Sequence, residues 1–228
     1  MQTWRRYAIY VVPDGPLGGF GAKWLGWDTI NGRPADPPKI DGLPRPISDL
    51  TERPRKYGLH GTLKPPFRLA EGTTEAELHH AARAFCAAMP AVKLDGLRLA
   101  RLGRFLALVP DGPAFELANL ASTVVRALDR FRAPPGAAEP GRRDAGKLSR
   151  AQQAMLAQWG YPYVMEEFRF HVTLTGALSE KEAETTTAAL APHVMPLLPR
   201  PFAIDSLCLC GQDERGRFHL LHRFALKS

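Results

Sequence analysis

The alternation of apolar and polar residues divides the chain into short segments of both helical and extended kinds. Tyr7 to Val12 reads as a strand, Gly21 to Trp27 as a short helix and Leu59 to Phe67 as a second strand. From Thr74 to Met89, the residues Leu78, Ala81, Ala82, Phe85 and Met89 recur at helical spacing, and Val92 to Arg101 with Arg104 to Val109 reads as a hairpin around Gly103. Helices are predicted over Phe115 to Phe131 and Lys147 to Trp159. Phe168 to Thr175 is a strand, Glu180 to Ala191 a helix, and Phe202 to Cys210 with Arg217 to Leu226 a second hairpin. Two stretches rich in Pro and Gly, Asp28 to Ser48 and Ala133 to Gly146, read as loops. Such segments are either surface connections or lids over a site.

This order contains a repeat. One unit begins His60-Gly61-Thr62-Leu63, continues to a helix opened by a Thr74-x-x-Glu77 capping box and ends in the first hairpin. The other begins His171-Val172-Thr173-Leu174, continues to a helix opened by Ser179-x-x-Glu182 and ends in the second. The aromatic residue opening the last strand, Phe105 or Phe218, lies forty-five residues after the histidine in one copy and forty-seven in the other. The expectation is a single bilobal domain over 1–228, with pseudo-repeats at about 57–110 and 168–226.

In a strand, alternate residues share a face, so the histidine and threonine of H-x-T point the same way. Arg169, His171, Thr173 and Thr175 make one face of the second motif strand, and Gly58, His60, Thr62 and Lys64 make the matching face of the first. If a two-fold relates the lobes, these faces meet across a groove with two imidazoles, two hydroxyls and at least two cations. Such a groove suits a phosphate diester. A neutral and a protonated imidazole supply a general base and a general acid near neutrality, threonine hydroxyls donate to non-bridging oxygens, and Lys64 or Arg169 offsets the developing charge. This chemistry requires no metal. An H-x-T triplet alone is weak evidence, and a lone strand histidine is commonly a half-buried residue bonded to backbone; the matched pair in equivalent units favours catalysis.

The two segments Tyr57-Gly58-Leu59-His60-Gly61-Thr62-Leu63-Lys64-Pro65-Pro66-Phe67 and Phe168-Arg169-Phe170-His171-Val172-Thr173-Leu174-Thr175-Gly176 resemble the two-histidine (2H) phosphoesterase superfamily, defined by paired H-x-[ST] motifs in a bilobal fold. With Trp159 to Tyr163 and Arg6 to Tyr10, they are similar to a bacterial branch known mainly as phosphonate-metabolism proteins. The resemblance implies an α+β fold of two pseudo-symmetric lobes, each with an antiparallel sheet and helices, and an active-site groove between them. It also implies cofactor-free, metal-independent phosphoester chemistry on a small phosphorylated substrate, with His60 and His171 as the acid and base pair and Thr62 and Thr173 holding the phosphate. The branch's association with carbon–phosphorus lyase genes implies a phosphoribosyl cyclic phosphate. Gly61 departs from the branch, which usually carries alanine there, on the core side of the strand. Tyr57, Tyr7, Tyr10 and Tyr163 also match the branch without firm roles in it; Tyr57, Tyr7 and Tyr163 are candidate substrate contacts, although Tyr57 falls out of register with the polar face and core packing is the simpler reading for it.

Composition narrows the picture. The 228 residues are 45% hydrophobic, enough for a substantial core, and the net charge of +7 favours anionic partners. The basic residues are spread along the chain, which sets RNA-end binding or RNA processing behind the small-molecule reading. No apolar run spans a bilayer and no signal-peptide core opens the chain, so the expected location is the cytoplasm. Cys86, Cys208 and Cys210 do not suggest a disulfide framework. Cys208 and Cys210 read as a buried thiol pair, the alternative being metal binding with His219 or His222. Trp24 and Trp27 read as core. Arg142 and Arg143 could reach a second phosphate, though exposed loop charges usually do nothing specific.

Overall fold

The computed structural model describes residues 4–134 and 148–227. Arg142 and Arg143, with most of the second predicted loop, lie outside the described residues. The elements, in chain order, are β1 (Arg6–Val11), α1 (Gly15–Leu25), β2 (Trp27–Asp28), β3 (Arg33–Pro34), α2 (Ile47–Leu50), α3 (Glu52–Arg55), β4 (Gly61–Phe67) and α4 (Glu75–Ala88). They continue with β5 (Val92–Leu94), β6 (Leu97–Leu102), β7 (Phe105–Pro110), α5 (Phe115–Ala127), α6 (Arg150–Trp159), β8 (Val172–Thr173), α7 (Glu180–Val194), β9 (Phe202–Ile204), β10 (Ser206–Gln212) and β11 (Phe218–Ala225).

Local signals set most boundaries. Thr74 and Ser179 close reciprocal capping boxes with Glu77 and Glu182, satisfying backbone N–H groups at the starts of α4 and α7. α1 starts earlier than its apolar periodicity suggests, because Pro16 suits the first turn, and it ends at Gly26 in the left-handed conformation. The strand expected over Phe168 to Thr175 shrinks to two residues. Beyond Thr173 the chain leaves the ladder, and the N–H groups of Leu174 and Thr175 both donate to the Leu106 carbonyl.

The structure is α+β, and its principal sheet is antiparallel, seven-stranded and ordered β11-β10-β1-β4-β8-β7-β6. The two expected lobe sheets are the halves of this one sheet, joined where the motif strands β4 and β8 pair. The repeat units exchange parts across that seam: α4 of the first unit packs on β10 and β11 of the second, and α7 of the second packs on β6 and β7 of the first. Even the short strands β5 and β9 pair with one another. Each half of the fold is therefore completed by the other unit. A shared apolar core, with Leu63, Leu108, Leu117, Val172, Leu190 and Leu209 almost fully buried, runs beneath both halves.

The opposite sheet face carries the chemistry and a smaller cluster of Ala8, Tyr10, Val12, Cys208, Cys210 and Phe218. The Asp28 to Ser48 segment is no detached lid. It holds the β2–β3 hairpin and is docked by Leu220 N–H to Thr29 O and Trp27 Nε1 to Phe218 O. Trp24 is buried in the core, with its Nε1 donating to Leu174 O beside the second motif. No helix among the described residues is long and apolar enough to cross a membrane.

Candidate functional site

Gly61 pairs with Val172 in the antiparallel β4–β8 ladder. Carried one residue either way, that register sets His60 opposite Thr173 and Thr62 opposite His171. The four motif side chains thus stand at the corners of a quadrilateral on one sheet face, each histidine across from the other motif's threonine. Directly opposed Cα atoms are about 5 Å apart and alternate residues about 7 Å apart, so the histidine Cα atoms lie roughly 9 Å apart on the diagonal. Flexible imidazole side chains can span that interval to one phosphorus atom.

Both imidazoles are held in the same way. His60 Nδ1 donates to the Gly58 carbonyl at 2.9 Å and His171 Nδ1 to the Arg169 carbonyl at 2.7 Å. Each bond reserves Nε2 for proton exchange. Gly58 adopts φ +67° and its Cα faces the Thr29 hydroxyl so closely that a Cβ would collide with it; glycine here lets the chain turn and offer its carbonyl to His60. Above His60 lie Tyr10, with ring centroids 4.1 Å apart, and Tyr57, at 5.5 Å. Burial among these rings pushes the His60 pKa down to about 4, with a smaller contribution in the same direction from the His171 charge.

The motif face opens into a cleft of about 600 Å³ lined by His60, Thr62, Thr173, Tyr10, Tyr57, Phe105 and Tyr161, with Arg6, Arg53 and Arg104 among its further walls. His171 is not itself a wall of the cleft; its ring stands 5.7 Å from that of Phe105, which is. The Thr62 and Thr173 hydroxyls have no protein partner among the described residues. Thr175, on the same face, is committed to structure: its hydroxyl accepts from Leu106 N–H and donates to Gly176 O.

Four expected site residues are placed otherwise. Lys64 does not share the histidine face, because Tyr10 pairs with Thr62 while Ile9 pairs with Lys64, a bulge that adds a residue to β4 and turns the lysine into the core. It is 1% exposed, 3.3 Å from both Asp129 Oδ1 and the Val125 carbonyl, and burial lowers its pKa to about 8 against the opposing pull of Asp129. Arg169 turns back on its own segment, donating to the Glu166 and Phe168 carbonyls, and is not a cleft wall. Tyr7 is buried in the main core with its hydroxyl on Glu75, since β1 alternates and Tyr7 takes the face opposite Tyr10. Tyr163 is exposed and packs edge-on against Tyr161, the neighbour that does line the cleft. Tyr57 is a cleft wall, and it also stacks on Phe218 at 5.2 Å.

Tyr10, Tyr161, Phe105 and the three arginines were absent from the sequence reading of the site. Arg6, Tyr10 and Tyr161 lie in the segments that resemble the branch but carried no site role there, and Phe105 left a signal as the repeat's equivalent of Phe218: Phe105 of the first unit flanks His171 of the second, and Phe218 of the second flanks Tyr57 and Tyr10 beside His60 of the first. Cys208 and Cys210 are buried free thiols. His219 bonds Asp213 and His222 packs on His79, so neither turns to them as a metal ligand, and no metal-binding group of three His, Cys, Asp or Glu side chains occurs among the described residues.

Two curated relatives are named Ribose 1,5-bisphosphate phosphokinase PhnN. That of Janthinobacterium sp. (strain Marseille) is 40% identical over 94% of this chain and 49% of its own length, and that of Laribacter hongkongensis (strain HLHK9) is 35% identical over 92% and 49%. The chain thus spans about half the length of these relatives. Among solved structures, it is similar to one described as a phosphoesterase (16% identity, 99% of this chain and 100% of that one, TM-score 0.46). It is similar to the same degree to E. coli LigT complexed with NADP+ (16% identity, 100% of each chain, TM-score 0.46). Residues 62–219, from the first motif's threonine through the whole second motif, match the family described as Protein of unknown function (DUF1045), and the chain belongs to that family.

Proposed function

We propose that the protein is a 2H-type phosphoesterase that hydrolyses a small cyclic phosphate without a metal ion, with His60 and His171 as base and acid. One observation carries this reading: the antiparallel pairing of β4 and β8 assembles both H-x-T motifs on one face at the cleft, each imidazole tethered through Nδ1. A phosphate seated between the motifs would take hydrogen bonds from the Thr62 and Thr173 hydroxyls. His60, neutral above about pH 4, suits the base: its Nε2 accepts a proton from water as the water oxygen bonds to phosphorus. The ester P–O bond on the far side breaks, and His171 Nε2–H protonates the departing oxygen, giving a phosphomonoester and a hydroxyl. Proton exchange with solvent resets the pair.

Arg53 and Arg104, whose guanidinium groups have no protein partner among the described residues, stand on the cleft wall with Gly176 and Ala177. They suit a second phosphate on the substrate. The relatives' name concerns a bisphosphorylated ribose, which supports a phosphoribosyl cyclic phosphate over a simple nucleotide.

The test is hydrolysis of phosphoribosyl cyclic phosphate and of 2′,3′-cyclic nucleotides in chelator. Turnover is expected with EDTA present, falling by at least about a hundredfold in His60→Ala and in His171→Ala. Activity abolished by EDTA, or full activity in either variant, overturns the mechanism.

A further inference from the structure

We propose that Tyr10 is a substrate-binding residue whose hydroxyl donates a hydrogen bond to a non-bridging oxygen of the bound phosphate. This rests on the phosphoesterase reading of the cleft and adds a contact that neither motif supplies. Tyr10 is fully buried, and its Oη has no hydrogen-bond partner among the described residues. The cost of leaving a buried hydroxyl unpaired makes such groups rare, and in a cleft wall they mark a place kept for a ligand.

The geometry says which ligand atom. Tyr10 is the cross-strand partner of Thr62, so both side chains rise from the same face at adjacent positions. A phosphate held by the Thr62 hydroxyl beside His60 therefore lies within reach of the phenol, whose ring already lies 4.1 Å from the His60 ring. The surroundings favour a donor and an anionic acceptor. Burial raises the Tyr10 pKa well above its ordinary value, so the group stays a protonated phenol, and the Arg6 charge is felt at its oxygen. The Tyr57 and Tyr161 hydroxyls are also close enough to be felt there, and both residues line the cleft. Because Oη is closed off from water, a bound oxygen reaches it when a neighbouring ring moves. Tyr161, a cleft wall that is 37% exposed, is the candidate.

Tyr10→Phe removes the hydroxyl and leaves the ring packing on His60 and Phe218. Binding of inorganic phosphate and of 2′-AMP, followed by calorimetry in wild type, Tyr10→Phe and Thr62→Ala, tests the assignment. The expected result is an affinity about five- to twentyfold weaker in Tyr10→Phe, with an unchanged or higher melting temperature and a matching rise in KM at constant kcat. Wild-type affinity in Tyr10→Phe, with binding lost in Thr62→Ala, overturns the Tyr10 assignment alone. No binding of either probe to wild type at millimolar concentration overturns both this assignment and the phosphoesterase reading.

Discussion

His60 makes a prediction about stability that needs no substrate. Its pKa is about 4 in the fold against an ordinary 6.5, so between those values the unfolded chain binds a proton that the folded chain refuses. Stability from this group is complete above pH 6.5 and is lost as the pH falls toward 4. At about 1.4 kcal/mol per unit, the drop from pH 7.5 to 4.5 comes to about 2.5 kcal/mol, or about 2 once the part of the ring that water reaches is allowed for. Urea titrations of wild type and His60→Gln at the two pH values read it directly. With a denaturant slope of about 2 kcal/mol/M, the wild-type midpoint should fall by roughly 1 M more than that of the variant. Asp129 and Asp213, held below the usual carboxylate range by burial-opposing hydrogen bonds and ion pairs with Arg132, Lys64 and His219, also lose stabilisation in acid. That loss is common to both proteins and cancels in the comparison. Equal midpoint shifts in the two would refute the burial of His60 as described, and with it the reason for making His60 the base.

The same pKa sets the acid limb of kcat/KM: activity should rise through about pH 4 as His60 loses its proton, and a limb near 6.5 would transfer the base role elsewhere. Lys64 sits in the core, so Lys64→Met should leave phosphate affinity unchanged, whereas Asp129→Ala strands the lysine and should cost about 3 kcal/mol in chemical denaturation. A fall in phosphate affinity in Lys64→Met would return the lysine to the cleft. A Cβ on Gly61 would land on the Phe170 ring, so Gly61→Ala should destabilise by about 1–3 kcal/mol, with Phe170→Leu relieving the clash; an unaffected midpoint in the single variant would contradict that packing. Arg53→Ala combined with Arg104→Ala should raise KM for phosphoribosyl cyclic phosphate more than for 2′,3′-cyclic AMP, and equal effects would remove the second-phosphate subsite. RNA oligonucleotides should bind weakly with a shallow salt dependence; a steep log–log slope would favour an RNA substrate instead.

The two H-x-T motifs, the repeat, the capping boxes of α4 and α7 and most helices were legible because each depends on residues close in sequence. A capping box closes within four residues, and alternation along a strand needs only the strand itself. The same local logic went wrong at Lys64. Period-two alternation puts it with His60, but the bulge against β1 is a property of two strands and reverses its face. It also missed Tyr10, since β1 is buried on both faces and its apolar run gives no sign of which side meets a cleft.

The sequence by itself determined which chemical groups are present in duplicate and which local elements carry them. Only tertiary structure decided that β4 and β8 pair antiparallel with Gly61 across from Val172, that the units exchange helices, and that Tyr10, Arg6, Arg53 and Arg104 arrive at one cleft. The physical reason is range. Helix caps and strand faces are set by hydrogen bonds and sterics within a few residues. Register, bulges and walls are set by the free energy of pairing segments far apart in the chain, from about fifty residues for β1 and β4 to more than a hundred for β4 and β8, which no local pattern encodes.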